Sequence, residues 1–247
     1  MRAVTVAAPA PEDADVETSS ARYALRFAGP VGQWFLRRQA ALTLELLRPF
    51  PGARVVDVGG GHGQLVQPLL AAGHAVTVYA SETGAVSDEV RALSASGRVA
   101  LLTGDLLHAP WADRAFDAVL CFRLLPHAHD WTALAGELAR LAARAVIVDY
   151  PTQRSVNAIA GALFGMKRKV EGDTRPFRVF AEGEIRAAFA AAGLRPTARR
   201  PQFFFPMALH RALGTAGVSR TLEAGARGLG LDRALGSPVI LRAEPRG

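Results

Sequence analysis

The nine residues from Val55 to Gly63, VVDVGGGHG, run a β-branched stretch straight into three consecutive glycines, and the segment that follows, QLVQPLLAAG, has helical spacing. A strand that dissolves into bare backbone and re-forms as a helix is the turn of a βαβ unit. The same alternation continues along the chain. Apolar runs stand at 75–79 (AVTVY), 99–104 (VALLTG), 116–122 (FDAVLCF) and 145–150 (AVIVDY), with the helical patterns SDEVRALSASG and DWTALAGELARLAA among them. A helix at FAEGEIRAAFAAAGL and two last strands, ARRPQFFF and SPVILRAE, complete the pattern. The reading is an α/β fold: a doubly wound, mostly parallel seven-stranded sheet with helices on both faces.

Upstream, GQWFLRRQAALTLELLRPF has its apolar residues at helical spacing and is stopped by Pro49, Pro51 and Gly52. The expected organisation is a tail at 1–20 without structure and a single domain at 21–247. That domain divides into a helical cap (21–52), a cofactor-binding core (53–150), a substrate-side insertion after the fifth strand (151–180) and a final helix and strands (181–247). A chain of 247 residues is long enough for one sizeable core.

Composition narrows the chemistry. The one cysteine, Cys121, rules out an internal disulfide and a thiolate cluster for metal, and fits a reducing cytoplasm. No apolar run reaches the roughly 18 residues of a membrane span. The net charge of +7 is concentrated between Pro151 and Arg200, where ten basic residues face four acidic ones. Such an excess suits nucleic acid, an anionic small molecule or acidic lipid, or is simply a solvated face.

Glycines at the carboxyl end of a strand let a ligand approach the backbone with no Cβ in the way. A dinucleotide fingerprint would require a third glycine where Gln64 stands. Instead, Asp57-Val58-Gly59-Gly60-Gly61-His62-Gly63, followed by Gly104-Asp105-Leu106 at the close of the third strand, resembles the class I S-adenosylmethionine-dependent methyltransferases, whose first motif reads D/E-x-G-x-G-x-G. The resemblance covers residues 53–150. It implies S-adenosyl-L-methionine as cofactor, with Gly59, Gly60 and Gly61 under its amino-acid and ribose portion and Asp57 orienting the loop or reaching the ammonium. Asp105 would accept from the adenine amino group, the Leu106 amide would reach a ring nitrogen, and Phe122 and Arg123 would border the methionine end. The family's acidic residue at the end of the second strand is missing, since Tyr79 is followed by Ala80, Ser81 and Glu82; either Ser81 or Glu82 is the candidate for the ribose.

Methyl transfer is an in-line displacement, so the protein must align the acceptor and exclude water. In CFRLLPHAHDW, His127 falls just past the fourth strand, where the resemblance puts the methyl, and an imidazole can act as a neutral base near pH 7. His127 is the candidate base or acceptor-positioning residue. Tyr23, Phe27, Trp34 and Tyr150 are the further candidates for the acceptor site, and no metal set is assigned. The expected acceptor is a small organic molecule, methylated on a hydroxyl oxygen, with nitrogen or carbon methylation as the alternative. Nucleic acid fits less well, because the Asn/Asp-Pro-Pro-aromatic motif of amino-directed nucleic-acid enzymes is replaced here by FRLLPH and Cys121 lies inside a strand. A monomer or homodimer is expected.

Overall fold

The computed structural model describes residues 12–18, 20–156 and 177–246. Its sheet contains β1 (Arg54–Val58), β2 (Ala75–Ala80), β3 (Ala100–Thr103), β4 (Phe116–Cys121), β5 (Ala142–Tyr150), β6 (Leu194–Pro201) and β7 (Val239–Pro245). The order is β3-β2-β1-β4-β5-β7-β6. β7 runs antiparallel to both its neighbours, and the other pairings are parallel. β1 is hydrogen-bonded on both sides, Asp57 lying level with Val78 of β2 and Leu120 of β4. The strand order reverses between β1 and β4, and the crevice beyond their carboxyl ends is where open α/β sheets bind ligands.

Period-two alternation distributes the strand residues between two cores. Val55, Val78, Leu120 and Ile147 pack with Leu42 and Leu46 of α3 (Gly29–Leu47) and with α4 (Val66–Ala71) and α5 (Asp88–Ala95). Val56, Val119 and Val146 pack on the other face with α6 (Trp131–Leu141) and α7 (Glu182–Ala191). The helix starts follow local chemistry: the Ser87 hydroxyl accepts from the Val90 amide at α5, and the Asp130 carboxylate accepts from the Ala133 amide at α6. With Asp130 as the α6 cap, His127 is not needed for that purpose.

Several sequence expectations change. Residues 12–18 are not a tail: α1 (Ala14–Thr18) is docked, with Ala14 and Asp15 fully buried. β6 begins at Leu194, earlier than the ARRPQFFF run suggested. Between β6 and β7 the chain forms α8 (Met207–Leu213), α9 (Ala216–Gly228) and α10 (Leu231–Leu235), elements absent from the sequence reading. The cap begins with α2 (Ala21–Ala24), and Tyr23 and Phe27 join Trp34, Phe35, Phe203 and Ala216 in a third apolar cluster. Buried Glu223 holds it, accepting from the Phe204 and Phe205 amides and pairing with the His210 Nε2, each at 2.9 Å. Most of the insertion, including Lys167, Arg168, Lys169 and Arg175 of the basic stretch, lies outside the described residues. Arg178 is described; it lies over the Trp131 and Phe180 rings and pairs with Glu184.

Candidate active site

The glycine turn is anchored by its own backbone. Gly59 has φ +72° and donates to the Tyr79 carbonyl at 2.7 Å, while the Gly61 carbonyl accepts from Ser87. A Cβ on Gly60 would stand 2.2 Å from Asp57 Oδ2, so this position must stay bare for the carboxylate beside it. Gly60→Val is therefore expected to weaken binding of S-adenosylhomocysteine at least about ten-fold in calorimetric titration while the far-UV circular dichroism stays that of the parent. Unchanged affinity would mean that the turn holds something else.

Asp57 is 4% exposed and its Oδ1 has no hydrogen-bond partner. Burial pushes its pKa up to about 7, with the Arg123 guanidinium pulling it down and Asp149 adding to the rise. Asp149, near the end of β5, is also buried, accepts from the Arg123 amide, and is raised by desolvation to about 6. Arg123 takes a left-handed φ of +60°, unusual for a residue with a side chain. Its guanidinium lies 4.7 Å from the centre of the Phe27 ring, and its Nε and Nη1 have no partner. Two acids and an arginine thus meet beyond the carboxyl ends of β1 and β5, Asp57 and Arg123 with unmet hydrogen-bonding capacity, as expected of a site built for a zwitterion.

The other cofactor candidates also lie at strand ends. Asp105 stays below the usual carboxylate pKa: partial burial works to raise it, but the His108 ring, the Leu107 amide and the Glu12 amide outweigh that. Leu106 and Phe122 are buried. The Ser81 amide donates to Asp15 Oδ2 at 2.8 Å, whereas the Glu82 side chain is exposed.

Beside the turn a cavity of about 260 Å³ opens, lined by Tyr23, Phe27, Phe35, Phe177 and Phe203 together with Arg26, Arg123, His127 and Asp149. His127 is 5% exposed, its ring centre 6.3 Å from that of Tyr23 and 5.5 Å from that of Phe177. Tyr23, Phe27 and His127 are brought together as expected, and Trp34 and Tyr150 are not. Trp34 packs inside the cap against Phe203 and His210, both at 5.1 Å, and its neighbour Phe35 faces the cavity. Tyr150 is fully buried against Phe180 and donates to Glu182; on a strand, adjacent residues face opposite ways, so Asp149 takes the site side. The sequence reading missed Asp149. An acid inside the apolar strand AVIVDY was the available signal for Asp149. No group of three or more His, Cys, Asp or Glu among the described residues could hold a metal ion.

A methyltransferase-domain family model matches residues 33–217. The ubiquinone biosynthesis O-methyltransferase of Paramagnetospirillum magneticum is 32% identical over an alignment of 154 positions that covers 55% of this chain and 57% of that protein; the chain thus spans little more than half the length of this curated relative. Among solved structures, magnesium protoporphyrin IX methyltransferase from Synechocystis PCC 6803 with bound S-adenosylhomocysteine superposes with a TM-score of 0.64 at 17% identity, over 93% of this chain and 97% of that one. The 1,6-didemethyltoxoflavin-N1-methyltransferase of Burkholderia thailandensis gives 0.56 at 16% identity, over 86% and 79%. The buried unpaired polar atoms around the glycine turn fit the amino-acid end of S-adenosylmethionine. With its sheet order, its glycine turn and the family match over three quarters of its length, the chain belongs to the methyltransferase-domain family and has the fold of the class I S-adenosylmethionine-dependent methyltransferases.

Proposed function

We propose that the protein methylates a hydroxyl oxygen of a small, flat, largely apolar acceptor, with His127 receiving or guiding the hydroxyl proton. The observation that carries this reading is the 260 Å³ aromatic cavity, which shares Arg123 with the pocket at the glycine turn and has His127 in its wall. The cofactor, when bound, supplies a methyl group on a sulfonium. Asp57 would face its ammonium, Gly59–Gly61 would lie under its amino-acid and ribose portion, and Asp105 would hold its adenine. Tyr23, Phe27 and Phe203 would flank a planar ring and keep water from the acceptor oxygen. As the oxygen takes the methyl it becomes more acidic, and a ring nitrogen of His127 accepts its proton. The O-methylating relative in Paramagnetospirillum magneticum supports the choice of oxygen.

The test is incubation with methyl-labelled S-adenosylmethionine and a panel of quinols, phenols and hydroxylated heterocycles, alongside total RNA. Label is expected in an alkali-stable methyl ether of a small molecule. Label in RNA, or on nitrogen or carbon, would overturn the reading.

A further inference from the structure

We infer that α1, together with Glu12, is seated on the ground assigned above to the cofactor's adenosine, so that docking of α1 and binding of the cofactor exclude one another. The inference rests on that assignment of Gly59, Ser81 and Asp105. Each of those groups is already engaged by the N-terminal segment. The Glu12 amide faces the Asp105 carboxylate, in the place of the adenine amino group. Asp15 Oδ2 takes the Ser81 amide at 2.8 Å at the end of β2, and Asp15 Cβ lies 3.4 Å from where a Cβ on Gly59 would stand. Ala14, 0% exposed, joins the apolar cluster that contains Leu106, Leu124 and Leu125. Glu12 Oε2 takes the His129 amide at 2.8 Å, and Thr18 stands with His62 in the wall above the turn.

The space that remains agrees with this. The cavity at Gly59–Gly63, walled by Thr18 and His62, encloses about 10 Å³, against roughly 300–1,000 Å³ for a small-molecule site. A nucleoside with its amino-acid arm enters only after α1 leaves.

The seat is also built to be given up. Asp15 is wholly buried, desolvation outweighs its bonding to Ser81 and raises its carboxyl pKa, and burying a carboxylate is costly. Five residues are too few for a helix that is stable alone, so α1 forms only where it docks. Its release is a local equilibrium, and the apparent affinity for cofactor is the intrinsic one scaled by the fraction of molecules with α1 undocked.

Two measurements on the full chain test this, with S-adenosylhomocysteine as the probe. Ala14→Glu places a charge in the buried seat and is expected to tighten binding about ten-fold in calorimetry. In the parent protein, saturating S-adenosylhomocysteine is expected to raise amide hydrogen exchange in the peptide spanning residues 12–23. Weaker or unchanged binding by Ala14→Glu, or slower exchange of that peptide on ligand addition, would overturn the inference and make α1 a lid that closes over the cofactor. Failure of both proteins to bind the probe would overturn the assignment of the cofactor site, and the inference with it.

Discussion

In turnover assays with an authentic acceptor, His127→Ala is expected to lower kcat by about 10²–10⁴-fold, the usual contribution of a general base, with little change in cofactor affinity. The expectation follows from position. His127 is buried in the wall of the aromatic cavity, on the loop that leaves β4, and Asp130 rather than His127 caps α6. A loss confined to a few-fold would leave His127 an aligning residue, and an unchanged kcat would remove it from the chemistry. Measuring S-adenosylhomocysteine affinity in parallel separates the outcomes, because a misfolded site would lose both.

The second large effect is expected from Asp57→Asn, and it has opposite signs for binding and stability. The Asp57 pKa of about 7 lies well above the roughly 3.9 of an unfolded chain. A carboxyl whose folded pKa is raised contributes stability that is fully present below the unfolded pKa and is lost as pH rises through the folded value. Had attraction to Arg123 outweighed desolvation, the shift would have been downward. The ligand-free protein should therefore lose stability between about pH 4 and 7, and at pH 8 Asp57→Asn should melt roughly 3–10 °C above the parent, the equivalent of about 1–3 kcal/mol. Its affinity for S-adenosylhomocysteine should fall at least about ten-fold, since a neutral amide gives the ligand's ammonium no counter-charge. Parent affinity should rise with pH across the same interval. A variant that melts below the parent at pH 8 would show that ionised Asp57 is stabilised in place by Arg123.

The parts of the fold that were legible from sequence are those governed by short-range patterns. β1 coincides with RVVDV because a β-branched run ending in glycines has one compatible structure, and Ser87 and Asp130 announce their helices. The parts that were not legible depend on partners distant in the chain. EDADVET is polar and acidic, yet it is ordered through Asp15 and Ser81, sixty-six residues apart. Trp34 and Phe35 are both apolar, and helical periodicity cannot say which of two neighbours faces a cavity and which faces α8. Tyr150 was an acceptor-site candidate from sequence, but the pleat gives the site to Asp149. The helices between β6 and β7 were hidden because their apolar runs are short and their burial is against the cap.

That last arrangement has a bearing on how the protein is made. The glycine turn and Asp105 are supplied by about fifty consecutive residues, whereas the cavity wall joins Tyr23 and Phe27 to Phe203, Met207 and Pro238. A chain emerging from the ribosome at about 5–20 residues per second can pair its first strands early, but Tyr23, Phe27 and Phe35 stay without Phe203 and Met207 until the last fifth of the polypeptide begins to appear. During synthesis those aromatic rings are exposed and available to chaperones or to neighbouring nascent chains. Truncations near the carboxyl terminus should consequently yield a product that retains a parallel sheet and aggregates through its cap.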